Sequence, residues 1–121
     1  MDETTKEMKP VSIVNAEHYL WGGSSDGWHL LKREDVSVIQ ERTSAGKAEI
    51  MHYHKISRQF FYILEGTGQM RLENELVSLQ KGEGLEIAPY VKHRFENNSS
   101  ADVIFLVISA PRSHGDRFNE E

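Results

Sequence analysis

The chain has 121 residues, enough for one domain with a real core and no disulfide or metal staples. Its net charge is −5 and its pI about 5.7, and no Lys/Arg run supplies the basic face that duplex nucleic acid requires. No apolar stretch approaches membrane-spanning length, and the absence of cysteine excludes disulfides, thiolate metal sites and a Cys nucleophile.

Residues 1–10 read as a polar tail ending in Pro10. Its acidic start, Met1-Asp2-Glu3, is the reverse of a signal peptide, so a cytoplasmic location is expected. Val11-Ser12-Ile13-Val14 is a candidate edge strand, and His18 to Gly27 a loop with aromatic anchors. Trp28 to Lys32 resumes an extended pattern. Val36 to Arg42 alternates, with Val36, Val38, Gln40 and Arg42 on one face and Ser37, Ile39 and Glu41 on the other. After the turn Thr43-Ser44-Ala45-Gly46, Glu49 to His54 reads as a strand with Ile50, His52 and His54 on one face. Gln59 to Leu64 is rich in aromatic and β-branched residues. Gln69 to Glu73 and Leu76 to Leu79 form a hairpin around Asn74-Glu75. Leu85 to Ala88 and Lys92 to Glu96 are strands interrupted by Pro89. Val103 to Ser109 is apolar enough to be buried on both faces. Residues 111–121 read as a second polar tail, leaving residues 11–110 as the single domain. No long segment carries helical period and caps. Short strands separated by Gly or Asn turns predict an all-β sandwich or barrel.

On a strand, residues i and i+2 share a face roughly 7 Å apart, so the imidazoles of His52 and His54 can converge on one ion. Six histidines in 121 residues give roughly 0.3 such pairs by chance, which makes the pair alone a weak signal. Its surroundings strengthen it. Gly46 is followed by five residues, His52, one residue, His54, four residues, Gln59, six residues and Gly66. A second stretch runs from Gly82 to His93 and Asn97.

This layout resembles the two motifs of the cupin superfamily, with Gly46, His52, His54 and Gly66 matching the first and Gly82, His93 and Asn97 the second, over about residues 36–110. The resemblance implies a double-stranded β-helix, a small jelly-roll barrel. It also implies one divalent transition metal held by His52, His54 and His93, and a homodimer in which an N-terminal strand such as Val11–Val14 is exchanged. Three positions depart from the pattern. Gln59 stands where the family has an acidic ligand, Ala88 where it has Pro, and Tyr90 where it has a turn glycine. Gln59 either ligates weakly through its amide oxygen, or hydrogen-bonds a group beside the metal, or marks a barrel that has lost its metal and is a bare pocket. Imidazole with oxygen suits Fe, Mn, Ni, Zn or Cu without choosing among them.

If Gln59 faces the cavity, Phe61 and Ile63 line it. Phe95 shares a face with His93 and walls the pocket, and Tyr90 narrows or lines the mouth. Gln40 and Arg42 are either polar pocket residues, Arg42 binding a substrate carboxylate or phosphate, or a strand end opening to solvent. The tail segment Ser113-His114-Gly115-Asp116-Arg117, with the stretch Gln59-Phe60-Phe61-Tyr62, resembles small single-domain bacterial cupins without a settled activity. That tail either folds over a barrel edge or a partner, or brings His114 to the pocket as an acid or base. Two functions are expected: a metal-dependent enzyme acting on a small molecule by dioxygenase or by isomerase or lyase chemistry, or a non-catalytic module that binds a small molecule with or without metal. With Gln in the acidic position no strong general base stands inside the motif, which favours redox chemistry or binding over proton abstraction.

Overall fold

The computed structural model describes residues 8–120, so the part of the N-terminal tail before Met8 lies outside the described residues. The described residues contain strands and no helix. In chain order the strands are β1 (Glu17–Trp21), β2 (Ser25–Lys32), β3 (Ser37–Thr43), β4 (His52–Tyr53), β5 (Arg58–Glu65), β6 (Gly68–Leu72), β7 (Leu76–Leu79), β8 (Gly84–Ile87), β9 (His93–Glu96), β10 (Val103–Ala110) and β11 (Phe118–Asn119). They form two antiparallel sheets, one ordered β1-β2-β3-β10-β5-β8 and the other β11-β4-β9-β6-β7. Two facing sheets joined by crossovers are the double-stranded β-helix expected above.

The inner faces meet over Phe61, Ile63, Met70, Leu79, Ile87, Phe95, Val103, Phe105 and Val107. Phe95 and Phe105 lie across the gap between the sheets, with ring centroids 4.0 Å apart. Complete burial of such a side chain stabilises the fold by roughly 1.5–3 kcal/mol. β10 sits between β3 and β5, yet only its alternate residues Val103, Phe105, Val107 and Ser109 are buried. Ile104, Leu106 and Ile108 are half-buried, because an antiparallel sheet needs a cover on one face only.

Three segments differ from the sequence expectation. Val11–Val14 is not a strand: the Ser12 carbonyl accepts bonds from the amides of Asn15 and Ala16, and the Asn15 side chain accepts one from Ser12 N–H. Such local side-chain bonds compete with sheet pairing. Of the loop expected from His18 to Gly27, residues 18–21 belong to β1 and residues 25–27 to β2, and only Gly22-Gly23-Ser24 turns the chain. Around the histidines only His52–Tyr53 is regular strand, and Ile50 is exposed rather than on their face.

The two histidine motifs meet through the backbone. Gly46 N–H donates to the Asn97 carbonyl, and Asn97 N–H to the Lys47 carbonyl. The buried Asn97 amide nitrogen donates to the carbonyls of Thr43 and Ala101 at 2.9 and 2.8 Å. At Gly66, with φ of +84°, a Cβ would lie 2.8 Å from the Asp102 carbonyl oxygen, so only glycine fits.

Candidate metal centre

Sheet geometry brings the three histidines together. His52 and His54 lie two residues apart, and β4 pairs with β9 so that His52 stands directly opposite His93. Ring centroids are 5.1 Å apart for His52 and His54, 4.4 Å for His52 and His93, and 5.6 Å for His54 and His93. One ring nitrogen from each lies within 4.8 Å of the other two. All three side chains are buried.

Their tautomers follow from their partners. His52 Nδ1 is 2.7 Å from the Ile50 carbonyl, His93 Nδ1 2.8 Å from the Val91 carbonyl and His54 Nδ1 2.7 Å from the Asp116 carbonyl. A carbonyl oxygen only accepts, so each Nδ1 carries the hydrogen and each Nε2 presents a lone pair. This is the outer support that metal-binding imidazoles use. Burial pushes the pKa of His52 and of His93 down to about 4, so both rings are neutral at pH 7 and ready to ligate. His54 Nε2 is buried without a hydrogen-bond partner. A buried orphan lone pair among two more lone pairs fits a divalent cation, and His52, His54 and His93 are the residues that would hold it.

Gln59 points into the same place from β5. Its Nε2 donates to Ser109 Oγ at 3.0 Å, and its Oε1 lies 3.2 Å from His93 Nε2. With His93 protonated on Nδ1, that approach brings two acceptors together. Either a cation sits between them, or the amide is turned over so that its NH₂ donates to His93. The alternatives for Gln59 given above remain compatible with its position.

A cavity of about 310 Å³ opens over the histidines, with His52, His54, Gln59 and Phe61 among its walls. Ile63 and Phe95, expected on the wall, pack instead in the core. Tyr90, expected at the mouth, is 65% exposed and stacks on Tyr53 outside the barrel. Its φ is +71°, so the tyrosine adopts the left-handed backbone of the turn position where the cupin pattern has glycine.

The face of β3 is a correction. Ile39 and Glu41 line the cavity, whereas Gln40 and Arg42 point to the outer face. Arg42 pairs there with Asp26 and Asp102 and donates to the Ser24 carbonyl. The apolar Val36 and Val38 suggested the opposite face, but the outer surface of this sheet is itself half-covered, so hydrophobicity did not discriminate.

Two groups in the site were given no role from the sequence. Glu41 accepts a hydrogen bond from the Tyr19 hydroxyl at 2.7 Å. Burial, reinforced by the negative charge of Glu49, pushes its carboxyl up to about 8 against the smaller opposing effects of the Tyr19 bond and Arg117. Burial also raises the Tyr19 hydroxyl far above its ordinary value, with Glu41 adding to the effect. A carboxyl group suited to proton transfer therefore exists, although outside the motif. The second group is Asp116. Burial alone would raise its carboxyl, but hydrogen bonds from the amides of Ser57, Ile56 and Lys55 outweigh it and hold the pKa low. The C-terminal segment is thereby part of the site: β11 pairs with β4, and Ser113, His114, Gly115 and Arg117 border the cavity.

The family profile described as the cupin domain matches residues 39–109. An uncharacterised protein, MJ1618, from Methanocaldococcus jannaschii is 35% identical over 73% of this chain and 71% of its own. The tetracenomycin polyketide synthase protein TcmJ of Streptomyces glaucescens is 36% identical over 55% of this chain and 47% of its own. A crystal structure of an uncharacterised conserved double-stranded β-helix protein from Klebsiella pneumoniae superposes with a TM-score of 0.79 at 17% identity, covering 95% of this chain and 99% of that one. At that identity the likeness concerns the fold.

Proposed function

The chain belongs to the cupin family, and on that premise we propose that it is a metal-dependent enzyme acting on a small molecule that binds the ion through oxygen. The observation that carries this reading is the orphaned Nε2 of His54, buried beside the Nε2 atoms of His52 and His93. Bound there, a divalent ion would polarise an oxygen of the substrate. The protein's own residues bind and orient. The row Ile39, Val107 and Phe61, aligned across three neighbouring strands, forms an apolar wall that excludes water. Ser109 and Gln59 form a polar row beside it. The cavity volume of about 310 Å³ lies at the small end of ligand cavities, which run roughly 300–1,000 Å³. The similarity to TcmJ, a polyketide synthase protein by name, supports an oxygen-rich small molecule.

A second reading, a non-catalytic binding module, draws support from Gln59, whose neutral amide is tied to Ser109 where the family has a carboxylate. Incubating the metal-loaded protein with small 2-oxo acids, hydroxy acids and catechols, followed by mass spectrometry, separates the two. The enzyme reading expects conversion of one class that His52→Ala abolishes. Recovery of every bound compound unchanged supports the binding module. A homodimer is proposed on the family likeness alone, and light scattering of the eluting protein tests it.

A further inference from the structure

The cavity has a second polar end that the metal site does not use. Glu41 on β3 and Glu49, in the stretch leading to β4, both border it. They differ in partners. Glu49 accepts a hydrogen bond from Phe95 N–H and lies 3.9 Å from Arg117. Glu41 has no ion-pair partner among the described residues, and the Tyr19 hydroxyl occupies its Oε2. β3 belongs to the sheet facing the three histidines, so Glu41 enters the cavity from the opposite side. A sphere of the cavity's volume is roughly 8 Å across, so one small molecule can reach both His52 and Glu41.

We propose that Glu41, with Tyr19 as its positioning residue, is the proton-transferring group of this site, and that the substrate is a small carbonyl compound with a C–H bond on the carbon next to the carbonyl. The inference rests on the reading of the site as a metal-dependent enzyme and names its reaction type. The deprotonated Glu41 takes the proton from that carbon. The C–H electron pair becomes a carbon–carbon π bond, and the carbonyl π pair moves onto oxygen. Where the deprotonated carbon carries a hydroxyl, the hydroxyl proton passes to the oxyanion, the O–H pair forms the new carbonyl and the carbon-bound proton returns to the former carbonyl carbon, which completes an isomerisation. Where the carbon beyond it carries a leaving group, the oxyanion re-forms the carbonyl as that group departs with its bond pair, which completes an elimination. Neither needs an oxidant. A base of this kind acts best when its pKa lies near the working pH, and burial together with Glu49 lifts Glu41 toward that range. The groups facing it are Tyr19 from β1, Glu49, and Arg117 from the C-terminal segment, with His52 and His54 across the cavity.

The test follows carbon-bound hydrogen exchange in D₂O by proton NMR, with dihydroxyacetone and pyruvate as probes and zinc-loaded protein as catalyst. Wild type is expected to exchange at least one probe faster than zinc in buffer. Glu41→Gln should slow this by about 10²–10⁴-fold at unchanged zinc content, and Glu41→Asp should restore part of it. Tyr19→Phe should shift the pH profile of the exchange. Independently of turnover, the metal-free protein should show the infrared carbonyl band of a protonated carboxyl at pH 7, absent in Glu41→Gln. Zinc bound by wild type, with no exchange above the buffer rate or with equal exchange in Glu41→Gln, overturns the inference and leaves the metal site standing. Failure to bind zinc overturns both.

Discussion

Replacing Asp116 by alanine removes one carboxylate and three interactions at once. Its oxygens accept from the amides of Lys55, Ile56 and Ser57 at 3.1, 2.9 and 2.8 Å, while its carbonyl holds His54 Nδ1 at 2.7 Å. Hydrogen bonds to a charged acceptor contribute roughly 1.5–3 kcal/mol each. The three share one acceptor, and the freed amides regain some water, so the expected loss is about 3–4 kcal/mol rather than the sum. For a domain of this length that lowers Tm by roughly 10–15 °C. The backbone carbonyl survives the substitution, but the segment that carries it loses its anchor. Metal affinity should then fall about 10–100-fold, the usual cost of disturbing a partner behind a ligating imidazole. Differential scanning calorimetry of the metal-free protein reads the first quantity, and a zinc titration against a competing chelator reads the second. Glu120→Ala is the control on the same segment, because its carboxylate pairs with Lys92 at the surface. It should change stability by less than about 0.5 kcal/mol and leave affinity unaltered. Wild-type zinc affinity in Asp116→Ala would refute the claim that the C-terminal segment orients His54. An unchanged Tm would refute its role as an anchor.

Other outcomes follow from the same geometry. Gln59→Glu should tighten divalent-metal binding at least about tenfold if residue 59 touches the ion, since a carboxylate replaces a neutral amide; an unchanged Kd places Gln59 outside the ligand set. Metal-free protein should lose stability as pH falls from 6.5 toward 4, because His52 and His93 are held near 4 in the fold and the unfolded chain takes up protons first. The slope from these two groups is about 2.7 kcal/mol per pH unit in mid-window, read from urea midpoints, and a bound metal should deepen it because protons compete with the ion. Tyr90→Gly should be about 1 kcal/mol more stable than Tyr90→Ala, since both lose the ring and only alanine retains the strain of φ +71°.

Much of this site was legible in the sequence because it is written in local spacing. An i, i+2 pair on a strand and glycines at turns needing positive φ, as at Gly46 and Gly66, are features of a few neighbouring residues. Gln59 and Phe61 were placed on the inner face by the same period-two reasoning, and β5 buries both. What failed depends on sheet environment. Both faces of β3 are partly covered, so alternation could not tell Glu41 from Arg42. Two glycines made residues 18–21 look like part of a loop, although β1 pairs with β2 through five residue pairs. Asp116 acts across 62 residues through its main-chain carbonyl on His54, and no side-chain pattern encodes that contact. Glu41 owes its altered proton affinity to burial and to Glu49, which the linear sequence does not bring together.

The central claim is that His52, His54 and His93 hold one divalent ion, and metal analysis of the purified protein tests it most directly. The account predicts one ion per chain, bound at nitrogen distances of about 2.0–2.1 Å if it is zinc, lost in His52→Ala and His93→Ala. Added metal at about 100 times Kd should stabilise the metal-free protein by about 2.7 kcal/mol. Protein that carries no metal, and whose melting temperature added Fe, Mn, Ni, Zn or Cu leaves unmoved, would contradict it.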